Sequence, residues 1–158
     1  MHSILDKDLI VAATAYYRLP LDGRHGKEHW QRVFENGQRL AERTGADRQI
    51  LALFALMHDL GRQNEGIDSE HGGRSAQIAR ELRTVHSFLD DTRFQILYTA
   101  CEQHNLGYTE GDVTMQTCWD ADRLDLGRTG MMPNPRYLCT DAARDPEVIQ
   151  WAIKRSLA

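Results

Sequence analysis

The stretch LFALMHDLGRQNEG, residues 53–66, decides how this chain folds. Its first part has the apolar composition of a buried helix, and it runs without a break into His58 and Asp59. A buried carboxylate loses its hydration and is stable only when a partner compensates its charge. The sequence therefore raises the question of which group compensates the charge of Asp59.

The composition is that of an ordinary soluble globular protein. The 158 residues are 41% hydrophobic and 27% charged, which predicts one domain over residues 1–158 with one sizeable core. The net charge of −4 argues against bulk nucleic-acid binding and against attachment to a membrane surface. No apolar run approaches the ~20 residues that span a bilayer, so no membrane partner is expected.

The amino terminus and the cysteines predict a cytoplasmic location. Residues 1–19 have acidic residues on both sides of a short apolar segment. No basic residues precede that segment, whereas a signal peptide begins with a positively charged region. Cys101, Cys118 and Cys139 are far apart and form no CxxC pair. We interpret them as reduced thiols with no disulfide, zinc-binding or catalytic role.

Helical periodicity dominates the chain, and strand-like alternation is scarce. Gly45 is a plausible helix stop, Asp47 a plausible N-cap, and Asp145-Pro146 a typical helix start. The pattern predicts an all-α bundle of about seven helices, over residues ~4–18, ~27–44, ~47–61, ~71–85, ~90–104, ~114–128 and ~146–157.

Potential metal ligands are distributed over five of these helices, most of them near a helix end. Helices that pack in a bundle can direct such residues into one cavity. A divalent cation there would compensate the buried carboxylates, including Asp59. The candidates are His29, His58, Asp59, His71, His104 and Asp122, although spacing alone also places Asp125 on a face similar to that of Asp122.

Mixed imidazole and carboxylate donors suit Mn²⁺, Fe²⁺, Co²⁺, Ni²⁺ or Zn²⁺ better than an all-oxygen magnesium site, although Mg²⁺ stays among the candidates. A first ion would be held by His29, His58, Asp59 and Asp122. His71 and His104 would hold a second ion, with Asp59 bridging the two. Two ions about 3.5–4 Å apart can share a hydroxide and bind a phosphoryl oxygen, as in phosphoester hydrolysis.

The order His29, His58-Asp59, Asp122 resembles the HD-domain superfamily of metal-dependent phosphohydrolases. The resemblance covers residues ~22–130 and is carried by HGKEHWQRV, MHDLGR and DADRLDLGR. Through CWDADRLDLGR the chain is also similar to a small stand-alone bacterial subfamily. The resemblance implies an HD-domain helical bundle and selects Asp122 as the last ligand. His71 and His104 resemble the extended motif of two-metal phosphodiesterases and di-iron oxygenases in that superfamily.

Several residues beside the predicted ligands are candidates for contact with the substrate. Arg62, three residues after the His-Asp doublet, would bind phosphate and contribute to catalysis with Asp59. Further substrate contacts are predicted for Arg74, Arg123, Lys27 and Asn64, each of which is otherwise a solvated side chain. The polar loop 61–70 is either a substrate gate or only a connector.

Three other polar residues near the motif have different predicted roles. Asp125 either orients a ligand histidine or pairs with Arg128. Asp120 is expected to be a solvated charge. His25 is expected to face solvent or substrate.

Together these features predict a metal-dependent phosphohydrolase acting on a nucleotide or another small phosphate ester. Metal-bound hydroxide would be the nucleophile, and Asp59 would hold both the ion and the nucleophile. Two alternatives stay open: a di-iron oxygenase on the same ligands, and a non-catalytic domain that binds metal or a nucleotide. The expected partner is a small molecule, and a homodimer is compatible with the sequence.

Overall fold

The computed structural model describes residues 1–158, and regular structure in it is entirely helical, so the predicted all-α class is confirmed. None of its helices combines the length and the apolar character that a membrane span requires. The helices are α1 (Lys7–Thr14), α2 (Lys27–Thr44), α3 (Arg48–Met57), α4 (His71–Val85), α5 (Asp91–Gln103), α6 (Val113–Arg123), α7 (Asp141–Arg144) and α8 (Pro146–Ser156), with 3₁₀ turns at Leu126–Thr129 and Pro135–Tyr137.

Helix α3 is the centre of the bundle. Every residue from Ile50 to Met57 is buried, and α1, α2, α4, α5 and α6 all contact this helix. A helix that is apolar on all sides is stable only when neighbours cover every face. The direct consequence is that His58 and Asp59, which follow α3, are delivered to the interior.

The start of α3 is tied to α5 through one carboxylate. Asp47 caps α3 by accepting hydrogen bonds from the backbone N–H groups of Gln49 and Ile50, at 3.0 and 3.2 Å. The Arg93 guanidinium of α5 donates two further bonds to the same carboxylate, at 2.7 and 2.9 Å. Asp47 therefore fixes α3 against α5 at the first turn of α3, which is the end of this helix away from His58.

A glycine lets α4 approach the end of α5 closely. A Cβ atom on Gly72 would lie 2.9 Å from the carbonyl oxygen of Cys101 and 2.7 Å from that of Glu102. Any larger residue would push the helices apart. His71, at the start of α4, is thereby held beside His104, at the end of α5.

A smaller apolar cluster lies apart from the main core. Leu40 of α2, Leu124 and Leu138 pack there against α7 and α8. The main core consists of 29 buried residues, which the part of the chain from Leu5 to Ala121 contributes.

Helix number and helix ends differ in detail from the sequence prediction. The structure has eight α-helices, because the single turn α7, capped by Thr140, is too short to produce a periodic signal. Helix α3 ends at Met57, four residues early, since Leu60 bonds to the Met57 carbonyl in a tighter i,i+3 pattern. Helix α1 covers only Lys7–Thr14 of the predicted 4–18.

Candidate metal centre

The structure brings all six predicted ligand residues into one buried cluster. The donor atoms form three groups, and within each group all of them lie within 4.8 Å of one another. The groups are His29 with His58 and Asp59, His58 with His104 and Asp122, and Asp59 with His71 and His104. Each side chain comes from the end of a helix or from the residues next to it. Helix packing therefore produces the convergence that the sequence pattern predicts.

One half of the cluster surrounds Oδ2 of Asp59. His29 Nε2 and His58 Nε2 each lie 3.5 Å from this oxygen and 3.1 Å from each other. Asp122 Oδ1 lies 3.3 Å from His29 Nε2 and 3.6 Å from His58 Nε2. His29, His58 and Asp59 therefore form one group of donors, and Asp122 lies next to both imidazoles.

The other half surrounds Oδ1 of Asp59. His71 Nε2 lies 3.2 Å and His104 Nε2 lies 3.6 Å from this oxygen. The two imidazole nitrogens are 2.9 Å apart. Asp59 therefore offers one carboxylate oxygen to each half of the cluster.

The second nitrogen of each imidazole is bonded to an acceptor that has no proton to give. Nδ1 of His29 donates to Asp125 at 2.7 Å, and Nδ1 of His58 donates to the Phe54 carbonyl at 3.0 Å. Nδ1 of His71 and of His104 donate to the carbonyls of Asp68 and Cys101, at 2.5 and 2.7 Å.

When Nδ1 carries the only ring hydrogen, the Nε2 atoms present lone pairs to one another. Lone pairs about 3 Å apart in a buried site repel unless a proton or a metal ion lies between them. The donors fit a divalent metal in type, in orientation and in the hydrogen bonds that hold them.

Asp125 both orients a ligand histidine and pairs with Arg128, two roles that were predicted as alternatives. It accepts the His29 bond, and its carboxylate lies 3.7 Å from Arg128 and 2.7 Å from Arg32. The carboxylate is buried, and these two guanidinium groups compensate its charge. Asp125 therefore orients His29 without contributing a ligand atom to the cluster.

The electrostatics without a cation show how strongly the site favours positive charge. Burial raises the pKa of Asp59, but the neighbouring imidazoles, above all His58, outweigh burial and hold it well below its usual value. Asp122 has a lowered pKa for the same reasons, with His29 and His58 opposing burial. Burial and Arg128 lower the pKa of His29, and hydrogen bonds to Asp122, Asp125 and Asp59 raise it overall to about 9.

The expectation that Asp120 is solvated was wrong, and for His25 the structure excludes the solvent-facing alternative, while contact with substrate stays a prediction. Asp120 is fully buried, not solvated, because its carboxylate accepts bonds from the backbone N–H groups of Cys139 and Thr140 at 2.6 and 2.9 Å. His25 is also buried, and its Nδ1 lies 2.6 Å from Glu65 Oε2. Sequence spacing carried no signal for either contact, since both partners are remote in the chain.

Arg62 and Arg74 lie beside the cluster but are engaged by protein groups. Arg62 Nε donates to Asp59 Oδ1 at 3.2 Å, and another nitrogen donates to the Gly66 carbonyl at 3.1 Å. Arg74 donates to the Gly61 carbonyl at 2.8 Å and pairs with Asp68. Both arginines fix the loop 61–70 against the metal-ligand residues.

The other three predicted substrate contacts form no hydrogen bond or ion pair with the six ligand residues. Arg123 donates to the carbonyls of Tyr108 and Tyr137, at 2.6 and 2.8 Å. The Asn64 side chain accepts a bond from Gly66 within its own turn. Lys27 lines a groove beside α1 and has an exposed side chain.

One side of the cluster is open. The Asp122 side chain is 19% exposed, whereas those of the other ligand candidates are at most 4% exposed. A molecule reaching the cluster from solvent therefore first meets the Asp122 side.

An all-helical bundle with a carboxylate shared between two His-containing groups defines a class of proteins built to bind divalent metals. The HD domain family model matches residues 26–152, so the chain belongs to the HD domain family. The predicted family is thereby confirmed, and no curated protein matches the chain significantly.

A solved structure supports the fold assignment. The chain is similar to the crystal structure of a predicted HD superfamily hydrolase from an uncultured Thermotogales bacterium, with a TM-score of 0.72 and 24% sequence identity. The similarity covers 96% of this chain and 86% of the other. At this identity the likeness establishes the shared fold.

Proposed function

We propose that this protein is a metal-dependent phosphohydrolase acting on a nucleotide or another small phosphate ester. The observation that carries the proposal is the position of Asp59, whose two oxygens face two separate groups of imidazole nitrogens. A carboxylate shared in this way is characteristic of two-metal phosphatases and nucleases. Membership of the HD domain family supports the same chemistry.

The donor set suits Mn²⁺, Fe²⁺, Co²⁺, Ni²⁺ or Zn²⁺. When bound, a pair of divalent ions activates water near neutral pH and stabilises charge on the phosphoryl oxygens. His29, His58 and Asp122 would hold one ion, His71 and His104 the other, and Asp59 both.

The protein groups around the cluster position these donors. Arg62 donates to Asp59 Oδ1 and limits rotation of the carboxylate. Asp125 holds the His29 ring in place through Nδ1. The burial of all donors except Asp122 excludes bulk water and leaves one side for the phosphate ester to approach.

The proposal is tested by loading metal-free protein with each ion in turn and assaying p-nitrophenyl phosphate and a panel of nucleotides. We expect turnover that depends on a divalent ion and is abolished in Asp59→Asn. Asp112→Asn is the matched control, because Asp112 caps α6 through Thr114 and asparagine caps equally well.

Retained hydrolysis by metal-loaded Asp59→Asn protein, or hydrolysis by the metal-free wild type, would contradict the proposal. Oxygen consumption by the iron-loaded protein, with no hydrolysis under any metal, would instead identify an oxygenase. Metal binding with neither reaction would identify a non-catalytic domain.

A further inference from the structure

A groove with a volume of about 870 Å³ lies between α1 and α2. Its α1 wall consists of Lys7, Ile10, Val11 and Thr14, whose i, i+3, i+4, i+7 spacing places them on one side of the helix. Helix α1 packs against α3 and α4, and the groove lies between it and α2. The volume falls within the range of roughly 300–1,000 Å³ that is usual for small-molecule sites.

Most of the surface inside the groove is apolar. Trp30 of α2 and Leu56 of α3 contribute buried side chains to the lining, and Ile10 of α1 is half-buried. Val11 also lines the groove and is 62% exposed, so part of this apolar surface has no cover. An apolar ligand that covered it would remove that surface from water, which is favourable.

The charged side chains around the groove leave an excess of positive charge. Both acidic residues of the lining, Glu28 and Glu35, form ion pairs with arginines of the same lining. Lys7 and Lys27 are the first residues of α1 and α2 and lie on opposite walls, and neither side chain forms an ion pair or a hydrogen bond within the protein. The groove therefore attracts a negatively charged group.

Volume, lining and charge together define the chemistry of a ligand. An apolar body fits the lining, and an anionic group at one end of that body is attracted by the two lysines. An apolar cation would be repelled by the same lysines. A small inorganic anion would leave the apolar lining uncovered.

The groove is separate from the candidate metal centre. None of the six ligand residues lines it. Consecutive residues of a helix point about 100° apart, and α2 accordingly places His29 in the metal-ligand cluster and Trp30 in the groove. Arg32 lines the groove and also donates to Asp125, the residue that orients His29. The two sites therefore use the same part of α2 without sharing a ligand residue.

We propose that the groove between α1 and α2 is a binding site for an amphipathic organic anion, which is a molecule with an apolar body and a carboxylate or a similar group at one end. Lys7 and Lys27 bind the anionic group, and the apolar lining binds the body. This site does not depend on the reaction proposed for the metal centre, because its residues lie outside the set of six ligands.

The binding test uses isothermal titration calorimetry on the metal-loaded full chain, with decanoate as the probe. We expect butyrate to bind at least about tenfold more weakly than decanoate, because butyrate has fewer methylene groups to bury. Decyltrimethylammonium has a chain of the same length and the opposite charge, and it should also bind at least about tenfold more weakly.

Two sets of variants locate the bound decanoate. Val11→Trp places a large side chain in the groove and should raise the Kd for decanoate at least about tenfold. Its matched control is Val85→Trp, because Val85 is 78% exposed on α4 and lies outside the groove, and this variant should bind as the wild type does.

The lysines are tested by combining Lys7→Gln with Lys27→Gln, which should raise the Kd for decanoate about fivefold or more. The matched control is Lys154→Gln, since Lys154 is an exposed lysine outside the groove.

Three results would overturn the proposal. The first is no measurable binding of decanoate, and the second is equal affinity for decanoate and decyltrimethylammonium. The third is a Kd for decanoate that is unchanged in Val11→Trp and in the double lysine variant. If that unchanged binding were lost in Asp59→Asn, decanoate would be located at the metal centre and not in the groove.

Discussion

His71 Nε2 and His104 Nε2 lie 2.9 Å apart, and each ring uses its Nδ1 hydrogen for a backbone carbonyl. The two nitrogens cannot hydrogen-bond to each other when both are unprotonated, so a metal ion or a shared proton is needed to hold them this close. Asp59 Oδ1, 3.2 Å from His71 Nε2, is the third donor of the same group.

Replacing one of these histidines should remove one metal position and keep the other. In His104→Ala only His71 and Asp59 remain around the second position, and we expect metal analysis to give one ion per chain in place of two. The control is His86→Ala, because His86 caps α4 away from the cluster. Unchanged stoichiometry in His104→Ala would contradict the two-ion interpretation.

Asp125→Asn tests the orientation of His29. The substitution weakens the acceptor that fixes the His29 ring, so the Kd for metal should rise by about 10–100-fold. Asp120→Asn on the same segment is the control, since Asp120 bonds to Cys139 and Thr140 outside the cluster. That variant should lose stability but bind metal with unchanged affinity, as equilibrium dialysis and thermal unfolding would show.

Metal affinity should rise with pH between 6.5 and 9. Without metal, the pKa of His29 is raised from 6.5 to about 9. The proton on His29 therefore stabilises the folded state fully below pH 6.5, and this stabilisation is lost as the pH rises through 9. The lowered pKa values of Asp59 and Asp122 keep both carboxylates charged throughout this range.

Binding of metal at His29 Nε2 displaces the proton. The difference in Tm between loaded and metal-free protein should therefore widen from pH 6.5 to 9. A difference in Tm that stays constant or narrows would show that the proton and the metal do not compete for His29.

Arg62→Lys should reduce kcat/KM by about tenfold while metal stoichiometry stays the same. Lysine keeps the charge but cannot contact Asp59 and the Gly66 carbonyl simultaneously as the guanidinium does. Arg48→Lys is a control on the far end of α3, where the arginine bonds to Gln38. Steady-state kinetics with p-nitrophenyl phosphate provide the measurement.

The sequence predicted the fold and the positions of most clustered donors because both depend on local signals, whereas the choice of Asp122 over Asp125 came from the resemblance to the HD-domain superfamily. The apolar run before His58 indicated a central helix, and His29, His71, His104 and Asp122 stand near helix ends where bundle packing brings them together. Local patterns also identified the caps at Asp47 and Asp145.

Contacts between remote segments could not be predicted in this way. The roles of Asp120 and Arg123 depend on loop backbone positions that only the tertiary structure defines. The pairing of His25 with Glu65 joins residues 40 positions apart with no periodic relation.

The most direct test of the central claim is anomalous scattering from crystals grown with excess Zn²⁺. We predict two peaks on either side of Asp59, one bounded by His29, His58 and Asp122 and the other by His71 and His104. Each ion should lie about 2.0–2.2 Å from its nitrogen and oxygen ligands. Absence of any peak beside Asp59, with the histidine Nε2 atoms turned away from one another, would contradict the account.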